Sequence, residues 1–494
     1  MLLLLLLGLI TYFIVQRVTA ITRTPAWLLW LVVMTPAIIL TAWRQIYGED
    51  KQIPPELVFG PFILCLCLYW FLIQWGRIPN PPPEPSPDPD LQSTEAATPP
   101  PVEPSTLHPL DKAEESQLQS CFPWAIYYLQ NIEYRPQAII CRGQLRTEPE
   151  NAYNTVSENI KKQFGDRFLI VFQEGANRKP FFVMVPNPQA QMAEKQIPDV
   201  TTRPFVAMVL LLATFVTTIL GGAELAGIKE FKPDPAIFWM GLPYAIALIA
   251  ILASHKFSQY FIARFYQIRM TLPYFIPVIP VNFFPYGTFG AFIQIRSPVP
   301  NRKALFDLGT VGPLVGFLVT LPFLIWGLAH SHVVTLDPRA SMLKFDALNP
   351  SFSFLVAVLG KLTLGNALTP NKAIALHPVA IAGYLGLIVT AFHLMPVGQL
   401  DGGHIVHAMF GQRAGAMIGQ IARLLLLILF LARLDQFLLI WAVFLFLMPA
   451  IDEPALNDVS ELDNRRDFLG LAMLAVLLLI VLPAPKAIVG FLNL

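Results

Sequence analysis

This sequence is short of charge. Only 14% of its 494 residues are Asp, Glu, Lys or Arg, against about 25% in an ordinary soluble domain, while 55% are hydrophobic. A composition so poor in charge and rich in apolar residues belongs to a membrane protein. The charges that remain nearly cancel, 34 basic against 33 acidic, so no basic field recruits nucleic acid and a nucleic-acid partner is excluded. Cysteine is scarce too. Cys65 and Cys67 sit in an apolar run, Cys121 and Cys141 stand well apart, and no CxxC spacing occurs. Neither a cysteine zinc site nor a disulfide scaffold is encoded. Glutamate is missing altogether from Phe231 through Asp452, whose only carboxylates are Asp234, Asp307, Asp337, Asp346, Asp401, Asp435 and Asp452.

Long apolar runs are abundant. A spanning helix needs about 20 mainly apolar residues to cross about 30 Å of hydrocarbon, and the chain offers about ten candidates. They are Leu2 to Val15, Pro25 to Trp43, Leu57 to Trp75, Pro204 to Leu220, Ala236 to Ser254, Ala304 to Leu328, Pro378 to Met395, Ala414 to Leu431, Phe437 to Met448 and Phe468 to Leu482. The first lacks the basic n-region and small-residue cleavage site of a signal peptide and reads as a retained helix. Of the 45 prolines, 12 fall between Pro79 and Pro109 among acidic and hydroxyl residues, a composition that cannot bury a core. Four regions follow: N-terminal membrane helices over 1–76, a Pro-rich disordered linker over 77–116, a small soluble α/β domain over 117–200, and a membrane core over 201–494. The fold class is therefore mainly α, a polytopic helical bundle. In the α/β domain, EYRPQAIICRGQLR, DRFLIVFQEG and KPFFVMVPNP read as strands. A helix is predicted from Thr147, where T-E-P-E offers a capping box and Ala152, Val156, Ile160 and Phe164 share one face.

Orientation follows from basic residues in short loops. Residues 256–303 carry Lys256, Arg264, Arg269, Arg296, Arg302 and Lys303 with no acid, which places them on the cytoplasmic side. Alternation of the following helices brings His255 and Asp401 to the same membrane face although 146 positions separate them. Asp401 lies beside a double glycine just after an apolar run, where an ionisable group is costly and usually functional; the plainer alternative is a cap for the next helix, with Gly402 and Gly403 allowing a tight turn. His404 and His407, at i and i+3, share a helix face as metal donors or as polar residues bonded to backbone. Asp307 is the one spare carboxylate near the right depth, or else a partner for Arg302 or Lys303.

The string FHLMPVGQLDGGHIVHAMFG, residues 392–411, resembles the second signature of the site-2 protease family of intramembrane zinc metalloproteases, N-x-x-P-x-x-x-L-D-G, with Pro396, Leu400, Asp401 and Gly402 matching. Residues 271–316 and 454–463 are similar to the plastid and cyanobacterial branch of that family, the one named for the ethylene-dependent gravitropism-deficient and yellow-green phenotype. The resemblance covers roughly Pro204 to the C-terminus. It implies that zinc is the family cofactor, that Asp401 stands at a zinc-ligand position, and that Pro273 to Pro300 forms a membrane-dipping hairpin lining the substrate path. Gly287, Gly290, His393 and Pro396 are the implied substrate-binding positions, and irregular backbone at that depth requires a protein or water-filled lining.

An active member needs HExxH on a helix, two histidines on one face for zinc and a glutamate to activate water. The matching stretch here is SHKFSQYFIARF. His255 keeps the first ligand position, Lys256 replaces the general base, Gln259 replaces the second histidine, and His393 replaces the asparagine of the second signature. An ammonium cannot accept a proton from metal-bound water and repels a dication, and a Gln amide is a feeble ligand beside imidazole. The expectation is a catalytically inactive homologue in a multi-pass plasma or thylakoid-type membrane, with zinc absent or weak, that binds membrane-protein partners or substrates. The competing expectation is a zinc-dependent intramembrane metalloendopeptidase using His255, Asp401 and recruited ligands. A transporter or channel, hinted at by GTVGPLVG and LMPVGQLDGG, is a third. If zinc is gone, Lys256 supplies the cation that compensates Asp401, directly or through one water, or else it snorkels to the cytoplasmic interface and Asp401 caps the following helix.

Overall fold

The computed structural model describes residues 24–47, 112–136, 138–175, 179–187, 203–228, 235–280, 286–336, 342–369, 372–433, 435–449 and 451–485, with positions 61, 65, 68 and 72. The expected helices at 2–15 and 57–75 and most of the Pro-rich linker lie outside the described residues. The chain divides into two units, 1–102 and 103–494. The first contributes helix α1 (Ala26–Tyr47).

The second unit opens on α2 (Lys112–Ser120), so the last residues assigned to the linker are helical instead. An α/β lobe follows: β1 (Tyr127–Arg135), β2 (Ala138–Leu145), α3 (Pro149–Phe164), β3 (Phe168–Glu174) and β4 (Pro180–Pro186). Its four strands are antiparallel in the order β1-β2-β4-β3. Three strands were expected. The first predicted run, which begins at Glu133, is cut into a hairpin by the Pro136 turn, and β1 starts six residues earlier, at Tyr127. Helix α3 starts at Pro149, not at a Thr147 cap, and no side chain caps it; a proline at the first position needs no N–H partner and has its φ already set for the helix. Ala152, Val156 and Ile160 are buried as the periodicity requires, against Tyr127, Phe172 and Phe182. Phe172 stacks on Phe182 at 4.1 Å, and the Tyr127 hydroxyl donates to the Cys141 carbonyl.

The core consists of α4 (Pro204–Leu225), α5 (Pro235–Phe265), a hairpin of β5 (Tyr274–Pro277) and β6 (Thr288–Phe292), and α6 (Arg302–Ala329). It continues with β7 (His332–Thr335), α7 (Phe354–Leu364), β8 (Lys372–Ala375), α8 (Pro378–Leu394), α9 (Asp401–Phe410), α10 (Gln412–Arg433), α11 (Gln436–Leu447) and α12 (Asn464–Val481). Among the described residues, five helices are long and apolar enough to cross a membrane: 26–47, 204–225, 238–265, 302–329 and 412–433. The expected spans at 378–395 and 437–448 are helices of 17 and 12 residues, and that at 468–482 belongs to α12, whose first turn carries Arg465, Arg466 and Asp467.

Helix α6 is central, packed against α5, α8 and α9. It runs unbroken through GTVGPLVG despite Pro313 and Pro322; in apolar surroundings neighbouring helices and local adjustment re-satisfy the amides that proline frees. The glycines of that string permit close approach. A Cβ at Gly309 would stand 2.7 Å from the Asp401 carbonyl oxygen, one at Gly312 would stand 2.6 Å from Gln259 Cγ, and one at Gly316 would stand 3.1 Å from His255 Nδ1. The stripe lets α5 and the start of α9 press onto α6 together, which brings His255 and Asp401 within contact of each other.

Candidate metal centre

His255, Lys256 and Gln259 occupy the last part of α5, and Asp401 is the first residue of α9; all four are buried. Asp401 does not cap its helix. Leu400 takes the cap position with no side-chain bond, and the Asp401 carboxylate turns toward α5 and α8. Oδ2 lies 3.1 Å from His255 Nε2 and 3.0 Å from His393 Nδ1, and Oδ1 accepts from Gln259 Nε2 at 2.8 Å. The two imidazoles are 4.7 Å apart between ring centres, tilted by 57°. Their facing nitrogens and the carboxylate oxygen all lie within 4.8 Å of one another. The expected Lys256 to Asp401 link runs through a side chain: Lys256 Nζ donates to Gln259 Oε1 at 3.1 Å, and the same amide donates to Asp401, joining ammonium to carboxylate.

Lys256, Gln259, His393 and Asp401 line a cavity of about 190 Å³ whose apolar side is Met270, Ala291, Phe292, Ile293 and Ile295 from the hairpin region. Asp401 is the one carboxylate among its described lining residues. Of the four positions assigned to substrate, His393 is at the centre. Pro396 is buried just past the end of α8, its carbonyl against Gly419 of α10. Gly287 has φ +76° and packs on α4, where the Thr217 hydroxyl donates to its carbonyl at 2.6 Å. Gly290 has φ +104° and pairs with Ile276 across the hairpin, with open space where a Cβ would lie. Neither glycine lines the cavity.

The remaining candidates sit elsewhere. Asp307 is held by Arg466 at 2.8 and 2.7 Å and by the Tyr266 hydroxyl, not by Arg302 or Lys303, and it does not line the cavity. Arg302 pairs with Asp458 and Lys303 with Glu150. His404 lines the cavity but turns its Nδ1 to Asp452 at 2.8 Å, and His407 bridges Asp452 at 2.9 Å and Asp458 at 3.0 Å. Burial pulls His407 down, but the hydrogen bonds that its ring donates to the two carboxylates outweigh it and hold its pKa up at about 9. Asp452, penalised by burial, is brought down to about 2 by His404 and His407. Sequence reasoning missed this cluster because Asp452 and Asp458 lie some 50 positions away, in a loop without periodicity.

Residues 243–433, which contain His255, Lys256, Gln259, His393 and Asp401, match Peptidase family M50, and residues 116–192, the α/β lobe, match the EGY3 middle domain. The chain thus carries a Peptidase M50 (site-2 protease) domain and an EGY middle domain. Among its relatives, a probable zinc metalloprotease EGY2, chloroplastic, from Oryza sativa subsp. indica is 28% identical over 369 residues, covering 74% of this chain and 65% of the relative. A probable zinc metalloprotease EGY1, chloroplastic, from Arabidopsis thaliana is 26% identical over 372 residues, 69% of this chain and 65% of the relative. A probable zinc metalloprotease EGY3, chloroplastic, from Oryza sativa subsp. japonica is 26% identical over 387 residues, 74% of this chain and 64% of the relative. The chain thus spans less than two thirds of the length of these curated relatives. No solved structure matches it.

Proposed function

We propose that this chain is a non-proteolytic member of the site-2 protease family, a multi-pass protein of a plastid, thylakoid-type membrane that binds segments of other membrane proteins without cutting them. The observation that carries the reading is the state of the general-base position. Lys256 stands there, its ammonium donating to Gln259, and among the described lining residues the cavity offers no carboxylate beyond Asp401. Hydrolysis needs a group that takes a proton from water at the scissile carbonyl. An ammonium has no lone pair to give, and Asp401 spends both oxygens on His255, His393 and Gln259. Gln259, bonded at both ends of its amide, is not free to serve as the second zinc ligand, so zinc held by the family's own ligand positions alone is weak here. The Peptidase family M50 match, the apolar wall of the cavity and the adjoining hairpin support binding of an apolar segment, and the chloroplastic relatives support the location.

Incubating the purified full chain with a fluorescent transmembrane reporter peptide tests the reading. The expected result is a reporter that co-elutes intact. A reporter recovered as two fragments overturns it.

A further inference from the structure

The loss of a histidine at position 259 coincides with the gain of one at 393, and the fold brings the two changes to the same carboxylate. We infer that His393 replaces the missing ligand, so that His255 Nε2, His393 Nδ1 and Asp401 Oδ2 form a relocated two-histidine, one-aspartate site for a borderline divalent transition ion such as Zn²⁺.

Geometry and donor chemistry both fit. Zinc binds imidazole nitrogen and carboxylate oxygen at about 2.0–2.2 Å, which sets neighbouring donors of a tetrahedral ion roughly 3.3 Å apart. The two edges that meet at Asp401 Oδ2 measure 3.1 and 3.0 Å, and the third edge keeps within 4.8 Å. Each donor comes from a different helix, α5, α8 or α9, and α6 fixes their approach through Gly309 and Gly316. Gln259 supports the site without entering it, because its N–H orients the second oxygen of Asp401. Lys256 also lies on that side, with its ammonium held by the Gln259 carbonyl. Two imidazoles and a carboxylate suit zinc, cobalt and ferrous ions alike. The ion would supply a Lewis-acidic point in the groove. The inference shares with the non-proteolytic reading the absence of a base at 256, but its readout is metal content, which cleavage does not enter.

The experiment loads the purified full chain with Zn²⁺, and separately with Co²⁺, and measures stoichiometry, affinity and the visible spectrum for wild type, His393→Asn, Gln259→Ala and Lys256→Met, with a thermal melt on each to certify folding. The wild type should hold about one ion per chain and give a cobalt d–d band. Gln259→Ala, which removes a group supporting a ligand, should weaken affinity within the roughly 10–100-fold typical of such a loss. His393→Asn should exceed that range and abolish the band, and Lys256→Met should tighten binding by removing a nearby cation. A folded wild type that takes up neither ion, or a His393→Asn effect no larger than that of Gln259→Ala, overturns the inference. Metal binding with no cleavage leaves both readings standing. Cleavage overturns the non-proteolytic one alone.

Discussion

At the scale of single residues, Asp401 organises the site by accepting from three directions, and this sets an order of sensitivities. Hydrogen bonds to a charged group contribute about 1.5–3 kcal/mol each, and removing one partner of a buried charged network typically costs about 3–5 kcal/mol. Asp401→Asn should therefore be among the most damaging substitutions in the core, lowering stability by roughly 3–5 kcal/mol in detergent unfolding. Lys256→Met, of similar volume, leaves only Gln259 Oε1 without its donor and should cost about 1–3 kcal/mol. Equal effects would contradict a site centred on Asp401, and no effect from Lys256→Met would contradict the amide link. Much of this was legible in the sequence. His255, Lys256, Gln259 and Asp401 were readable because two strings keep the spacing of known signatures even where their chemistry is altered. The turn of His393 toward Asp401 was not, since a histidine at a helix end has no periodicity to report its partner.

At the scale of elements, the glycine stripe of α6 decides how near the two halves of the site come. GTVGPLVG suggests a broken helix to a reader of sequence, because glycine and proline interrupt helices in water; buried among α5, α8 and α9, the same residues permit contact. Gly312→Ala places a Cβ 2.6 Å from Gln259 Cγ, and Gln259 has little freedom to yield, being bonded at both ends of its amide. Overpacking of this kind costs about 1–3 kcal/mol. Gly312→Ala should lower the melting temperature and also loosen the Gln259 to Asp401 bond, read as a smaller penalty for Gln259→Ala in that background; strict additivity of the two changes would refute the coupling. Elements with a strong period were readable, as in the buried face of α3. The β1–β2 hairpin was hidden by an uninterrupted run of strand-forming residues that only the turn at Pro136 divides.

At the scale of the molecule, residues 455–458 tie the α/β lobe to the core. The Phe172 N–H of β3 donates to the Leu456 carbonyl at 2.7 Å, the Asp458 N–H donates back to Phe172 at 2.9 Å, and Leu456 and Asn457 bond to Val299 and Pro300 at the entry to α6. His407, Asp452, Asp458 and Arg302 fasten that segment to α9 and α6. The His407 pKa rises from 6.5 to about 9 on folding, so its contribution is complete below about pH 6.5 and is lost as pH climbs through 9; Asp452, lowered from 3.8 to about 2, contributes above about pH 4 and loses that as pH falls. Stability should decline between pH 6.5 and 9 by at most about 3 kcal/mol from this source, and His407→Gln should flatten the decline, measured as melting temperature against pH. An unchanged slope in the variant would assign the decline to other groups. The tie could not be read from sequence, because it joins segments more than 150 positions apart through backbone bonds that carry no residue signature. The most direct test of the whole account is cleavage of a transmembrane reporter in proteoliposomes with zinc present, comparing wild type with Lys256→Glu/Gln259→His. An intact reporter is expected with the wild type, and zinc-dependent fragments only when the base and ligand are restored; wild-type cleavage that chelators stop and Asp401→Asn abolishes would contradict the non-proteolytic reading.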